Sequence, residues 1–430
     1  MQGWLIALIV FAVYWAAIFI LDKLKILEKI HASTYGPIFT IRTERAKKLV
    51  DRMSKPKKFW HWFGIVSIAL CSLAAVAMFA MLIGQIPLIF ELKEPINPRL
   101  VFAIPILNPI FPLFYGLLGL FIAVVVHEFS HGILMRSYDM VLKSLGFVFI
   151  LFPLGAFAEP DEGELLKAKK SHRARIYGVG PGMNIILALL LLGILVGSAH
   201  SLQPTEGAIV TEICDDSPLA DKGLETPFIL VSINSTKIEN PNDYIEVCRL
   251  LKENQIVELV VLLQGETKRI NASGGSFGLF LEDEKVISEG LYYTDAYTTP
   301  HSARGLTDLF KNPLSSGSGF SMFMGLPFFG LQPISEDFGD VLGAPFQGFW
   351  VIYNILYWIF WVSLLVGLFN ALPIFPLDGG WLFRDFCTVV AKKFTKDEDK
   401  ANAIAGKITS GVSALTLMLI LAPMIIPWFL

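Results

Sequence analysis

Inside the apolar stretch FIAVVVHEFSHGILM, residues 121–135, stand His127, Glu128 and His131. On a helix, His127 and His131 fall one turn apart on the same face, so both imidazoles can reach one metal ion. Glu128 then lies beside them, placed to act as a base on a water that the metal activates. A charged side chain at the centre of a bilayer costs about 2.5–3.5 kcal/mol on insertion scales, so ionisable residues in such a run point to function. A polar contact between helices accounts for one histidine. It does not account for two at ligand spacing with a carboxylate next to them.

A catalytic zinc site takes three protein ligands and keeps a fourth position open. The other histidines lie in loops (His31, His172), at the edges of apolar segments (His61, His200) or in the polar part of the chain (His301), so a carboxylate is the better third ligand. The stretch LFNALPIFPLDGGWLF, residues 368–383, supplies Asp378. Pro373 and Pro376 break a helix just before it, and Gly379 and Gly380 allow tight turning after it. Unwound chain at that point can aim Asp378 toward a metal held by another helix. Asn370, in the same stretch, is a neutral amide suited to donate to a developing oxyanion.

These residues need apolar elements to carry them, and the composition provides them. Of 430 residues 54% are hydrophobic and only 17% charged, and the mean hydropathy is +0.58, which places the chain among integral membrane proteins. A net charge of -3 gives no reason to expect nucleic acid. Apolar runs long enough to cross a bilayer occur at 3–21, 59–90, 113–135, 176–199, 346–371 and 408–429. The N-terminal run lacks a basic leader and a small-residue cleavage site, and reads as a retained first span. The second run is long enough to need tilt or a kink, with Gly84 and Pro87 near its end, and Pro105, Pro109 and Pro112 predict extended chain before the third. Lys and Arg concentrate in 22–58, 136–175 and 384–400. With six spans all three connections fall on one side, which the positive-inside rule makes cytoplasmic. The acidic region 200–345 then lies outside.

The segment VLKSLGFVFILFPLGAFAEPDEGE is apolar, yet both its flanks must be cytoplasmic. Pro153 and Gly155 predict a re-entrant β-hairpin dipping toward the site, which survives at depth only if protein covers it or it lines a wet cavity. Residues 27–58 read as an amphipathic connection on the membrane surface. Cys71 and Cys387 read as buried thiols, while Cys214 and Cys248 share the polar domain and could be bridged.

The paired stretches His127-Glu128-Phe129-Ser130-His131-Gly132 and Asn370-Ala371-Leu372-Pro373-Ile374-Phe375-Pro376-Leu377-Asp378-Gly379 resemble the site-2 protease family of intramembrane zinc metalloproteases. The family pattern Asn-x-x-Pro-x-Pro-x-x-Asp-Gly is matched at Asn370, Pro373, Asp378 and Gly379, while its second proline stands one place later here, at Pro376. VGPGMN, Val179 to Asn184, is similar to the family's Ala-Gly-Pro-x-x-Asn and departs from it only at Val179. The resemblance implies one zinc held by His127, His131 and Asp378, with Glu128 as general base and Asn370 as positioner of substrate or oxyanion. It also implies that Gly155, Ala156 and Phe157, in a strand like the family's Gly-rich re-entrant strand, contact substrate. Asn184 is expected either to contact substrate or to hydrogen-bond the re-entrant backbone. The implied partners are the lipid bilayer and single-span membrane proteins cleaved within the membrane, and the implied location is the plasma membrane of a prokaryote.

Between the fourth and fifth spans, residues 201–290 show short β runs and an amphipathic helix near Asp243 to Leu251. This resembles a PDZ domain, with SFGLFLED as its carboxylate-binding loop at Phe277, Gly278 and Leu279; the loop's late place makes the order circularly permuted. The expected fold is a polytopic α-helical membrane protein of about six transmembrane helices with a re-entrant β-hairpin and an inserted α/β PDZ-like extracytoplasmic domain. Its parts are 1–58, first span and basic connection; 59–200, first half of the catalytic core; 201–290, the inserted domain; 291–345, an unassigned lid or membrane-surface segment; and 346–430, the second half of the core. The competing readings are a non-catalytic metal-binding scaffold, which has no use for Glu128, and a metal transporter, which wants several midplane carboxylates that this chain lacks.

Overall fold

The computed structural model describes residues 2–29, 32–90, 95, 112–150, 152–199, 203–204, 208–213, 219, 222–224, 228–239, 241–252, 255–263, 266–274, 279–282, 285–288, 291–293 and 342–429. The chain divides into two compact units, Met1–Leu191 with Trp358–Leu430, and Leu192–Tyr357.

The first unit is built on long apolar helices. Among the described residues, five are long and apolar enough to cross a membrane: Lys57–Gly84, Leu113–Ser137, Lys170–Leu195, Phe349–Ala371 and Glu398–Phe429. The apolar helix α1 (Gln2–Lys23) precedes them and, at ~1.5 Å per residue, has the length of a bilayer core. The other helices that matter are α2 (Glu44–Met53), α3 (Lys57–Gly84), α4 (Leu113–Ser137), α5 (Lys170–Ala199), α6 (Phe349–Ala371), α7 (Asp378–Ala391) and α8 (Glu398–Ile425). Helix α3 ends at Gly84, before Pro87, as the sequence leads one to expect. The extended chain expected at 101–111 lies outside the described residues.

The hairpin expected around Gly155 is present as β3 (Leu142–Ile150) and β4 (Phe152–Pro160). The connection before α3 differs from expectation. Instead of one amphipathic segment, β1 (Ala32–Tyr35) and β2 (Ile38–Arg42) form a second hairpin, giving an antiparallel sheet of order β1-β2-β3-β4. Its strands are four and five residues long, too short for alternation to stand out beside the basic residues that follow. The amphipathic part is confined to α2, capped by the Thr43 hydroxyl, which accepts from the Ala46 N–H at 3.4 Å.

This sheet and α2 brace the end of α4 that carries the histidines. Val50, Trp60, Ile133, Leu134, Met135, Leu142, Leu145, Ile176 and Val179 form one buried cluster. The Arg136 Nε donates to Asp51 at 2.6 Å, and the Trp60 indole N–H donates to the Met53 carbonyl at 2.7 Å. Strand β4 lies directly on α4. A Cβ on Gly155 would come within 2.5 Å of the Val124 side chain, so the strand can approach the helix only because residue 155 has none.

The second unit contains a two-residue strand β5 (Gln203–Pro204) and, apart from it, an antiparallel sheet. Its strands are β6 (Ala208–Ile213), β7 (Phe228–Ile233), β8 (Thr236–Lys237), β9 (Gln255–Leu263), β10 (Glu266–Gly274), β11 (Leu279–Glu282), β12 (Lys285–Ser288) and β13 (Leu291–Tyr293), in the order β10-β9-β7-β6-β13-β12-β11 with β8 beside β7. Phe228, Leu230, Ile233, Leu259 and Val261 bury their side chains together with Tyr244 and Cys248 of a helix at Pro241–Leu250. That helix falls where the sequence places it. Cys248 is a free thiol, and burial pushes it up to about 11, well above the physiological range, so it stays protonated and unreactive. Cys214 lies outside the described residues.

Candidate active site

His127 and His131 project from the buried side of α4, their ring centroids 4.9 Å apart. Asp378 is the first residue of α7, after the proline-containing turn that ends α6. Its Oδ2 lies 2.9 Å from Nε2 of His127 and 3.2 Å from Nε2 of His131. Among the described residues these three form a group that could hold a metal ion, their ligand atoms all within 4.8 Å of one another. At the start of a helix, Asp378 also faces the positive end of the α7 dipole.

Two contacts show whether the histidines suit a metal. The Nδ1–H of His131 donates to the Ile176 carbonyl at 2.7 Å, which leaves the lone pair of Nε2 aimed at Asp378. The Asn184 amide lies 3.3 Å from Nδ1 of His127, and its Oδ1 is buried without a partner. Turning the amide over lets Oδ1 accept from Nδ1–H of His127 and leaves Nε2 deprotonated, the form a metal needs. The donor set of two imidazoles and a carboxylate is that of a catalytic zinc site. Asn184 therefore meets His127, a neighbour the sequence did not name when it left this residue between substrate and the strand backbone.

Glu128 is half-buried beside this group, and its Oε2 accepts a hydrogen bond from the Ala158 N–H of β4 at 3.1 Å. Gly155 and Ala156 are buried and Phe157 half-buried on the same strand. Asn370 occupies the last turn of α6, where its Nδ2 donates to the Val366 carbonyl at 3.0 Å, leaving one N–H of the amide for another acceptor. Phe277 and Gly278 lie outside the described residues, and Leu279 opens β11.

Two residues at the site were given no role from the sequence, although Gly180 stands in the VGPGMN stretch. Gly180 of α5 faces the Nε2 atoms that converge on Asp378: a Cβ there would lie 2.4 Å from Nε2 of His131 and 2.6 Å from Nε2 of His127. Its place four residues before Asn184, on the same helix face, is the cue that could have found it. Ser413 of α8 clamps the turn before Asp378. Its hydroxyl donates to the Pro373 carbonyl at 3.0 Å and accepts from the Phe375 N–H at 3.0 Å, satisfying backbone groups that the helix break frees. Of the remaining histidines, His172 stacks on Tyr138 at 4.1 Å and His61 faces Arg175, while His31, His200 and His301 lie outside the described residues.

A multi-pass membrane protein that gathers two histidines and an aspartate from separate helices, with a glutamate beside them, has the architecture of an intramembrane metalloprotease. The comparison of sequences agrees. The chain belongs to peptidase family M50, the site-2 proteases, whose family profile matches residues 115–415, and it is a zinc metalloendopeptidase. An uncharacterized protein of Methanocaldococcus jannaschii is 26% identical over 404 residues, 93% of this chain and 90% of its own length. The regulator of sigma-W protease RasP of Bacillus subtilis is 25% identical over 242 residues, 53% of each chain. The zinc metalloprotease RasP of Oceanobacillus iheyensis is 24% identical over 240 residues, 52% of this chain and 53% of its own.

Proposed function

We propose that this protein cleaves the transmembrane segments of single-span membrane proteins, with one zinc per chain held by His127, His131 and Asp378. The observation that carries this reading is the meeting of three ligand atoms within 4.8 Å at one end of Glu128's own helix turn. Zinc supplies Lewis acidity there, polarising the scissile carbonyl and acidifying water. Glu128, steadied through one oxygen by the Ala158 N–H, uses the other to take a proton from the attacking water and passes it to the leaving amine. The remaining amide N–H of Asn370 is offered to the carbonyl oxygen as charge develops on it.

A substrate helix hides its carbonyls in i to i+4 bonds and must unwind before attack. β4 is an edge strand of the described sheet, so an unwound segment can pair with it along Gly155, Ala156 and Phe157 and recover the lost bonds. Because the Ala158 N–H already serves Glu128, that pairing ends where the base begins. Six spans, with the basic connections and the site toward the cytoplasm and residues 201–290 outside, fit the charge distribution of a prokaryotic plasma membrane protein. The inserted unit reads as a permuted PDZ domain that binds a free C-terminal carboxylate through Phe277, Gly278 and Leu279 and so favours substrates already trimmed outside. Leu291–Tyr293 belong to the sheet as β13, so the lid or surface segment expected at 291–345 begins after Tyr293.

The test uses purified protein in liposomes with a single-span substrate in intact and trimmed forms. Cleavage inside the membrane segment is expected, faster for the trimmed form, lost on chelation and restored by zinc. Cleavage that survives complete removal of zinc contradicts the reading.

A further inference from the structure

Arg173, Tyr177, Gly180 and Asn184 fall on one face of α5 at helical spacing, and Asp378, Trp381 and Asp385 do the same on α7. The two stripes meet in antiparallel order. At one end Gly180 and Asn184 lie against the histidines that approach Asp378. In the middle the rings of Tyr177 and Trp381 stack, centroids 5.9 Å apart and 18° from parallel. At the far end the Arg173 guanidinium grips Asp385 with two parallel bonds, Nε to Oδ2 at 2.6 Å and Nη2 to Oδ1. The side chains of this pair are only 13% and 14% exposed, and Arg173 Nη1 donates further to the Leu166 carbonyl at 3.1 Å.

We propose that the Arg173–Asp385 fork is a positioning pair for zinc: it fixes the rotation of α7 about its axis and thereby the direction in which Asp378 presents its carboxylate. Asp385 lies two turns beyond Asp378 on the same face, so a rigid helix carries any change at one to the other. α5 is the common reference. It orients His131 through the Ile176 carbonyl and His127 through Asn184, and it holds α7 through Arg173. A bidentate guanidinium–carboxylate pair sets angle as well as distance, which a lysine at the same place does not. The inference rests on the assignment of Asp378 as a zinc ligand.

Zinc affinity is measured on the full-length protein in detergent by competition with a chromophoric chelator, beside thermal unfolding of the zinc-free form. Asp378→Ala serves as the control for the ligand assignment. Arg173→Lys keeps the charge and loses the fork; Arg173→Met with Asp385→Leu removes both charges together, so that none is left buried alone. Each is expected to leave zinc-free unfolding where it is and to weaken zinc about tenfold, within the range for groups that orient metal ligands. Excess zinc is expected to restore their cleavage rates. If Asp378→Ala weakens zinc while both pair variants bind it as the unaltered protein does, the positioning role is wrong and the ligand assignment stands. If Asp378→Ala itself binds zinc with full affinity, the ligand assignment fails, and the pair has nothing to position. Loss of the zinc-free fold in both pair variants also overturns the proposal, because the fork would then be a staple of the fold.

Discussion

Glu128→Gln is expected to hold zinc at full occupancy and to cleave about 10²–10⁴-fold more slowly, the usual loss when a positioned base is removed. Glutamine has the shape of glutamate and can still accept from the Ala158 N–H through its amide oxygen, so β4 keeps its place against α4. No zinc-binding atom is touched, because Glu128 is not among the three side chains that converge. What disappears is an oxygen able to take a proton. Zinc content by atomic absorption and the cleavage rate of one single-span substrate, measured on the same preparation, check both halves of the statement. Near-normal cleavage would remove Glu128 from the role of base.

Asp378→Ala should fail differently. Its carboxylate oxygen lies within 3.2 Å of both Nε2 atoms, so the substitution leaves two imidazoles facing an apolar gap. Losing a group that merely orients a ligand costs about 10–100-fold in metal affinity, so losing the ligand itself should cost at least about a hundredfold. Cleavage and zinc occupancy are expected to fall together. Chelator competition across a range of free zinc separates this from Glu128→Gln, in which occupancy is unaffected. Full, tightly held zinc in Asp378→Ala would mean that another group completes the site.

The three candidate ligands were legible because their geometry is local. Two histidines four apart share a helix face in any context, and Pro373 and Pro376 must free the chain ahead of Asp378 wherever that chain goes. Gly180 was not legible in the same way. Its importance comes from α5 pressing its backbone against two imidazoles of α4, a tertiary approach that a single glycine does not announce. Ser413 is a similar case, a lone hydroxyl in an apolar helix whose partners, Pro373 and Phe375, are some forty residues away. Arg173 counts in the sequence only as one of the basic residues of 136–175 and nothing there marks Asp385; only the meeting of α5 and α7 turns them into a pair. The β1–β2 hairpin was hidden because short strands in a basic connection have too few residues to show a period. Asn184 was noticed but its contact with His127 was not, since the sequence marks its helix face and says nothing of which element faces it.

The assignment of His127, His131 and Asp378 as ligands predicts what surrounds a bound zinc ion. X-ray absorption at the zinc K-edge, recorded on the purified zinc-loaded protein and on Asp378→Ala, reads those neighbours without reference to turnover. The expected spectrum has nitrogen and oxygen scatterers only, at about 2.0–2.2 Å, with the multiple-scattering signature of two imidazoles and no sulfur at about 2.3 Å. It should lose an oxygen neighbour in Asp378→Ala. A sulfur scatterer, or a spectrum that Asp378→Ala leaves unchanged, would contradict a site built from His127, His131 and Asp378.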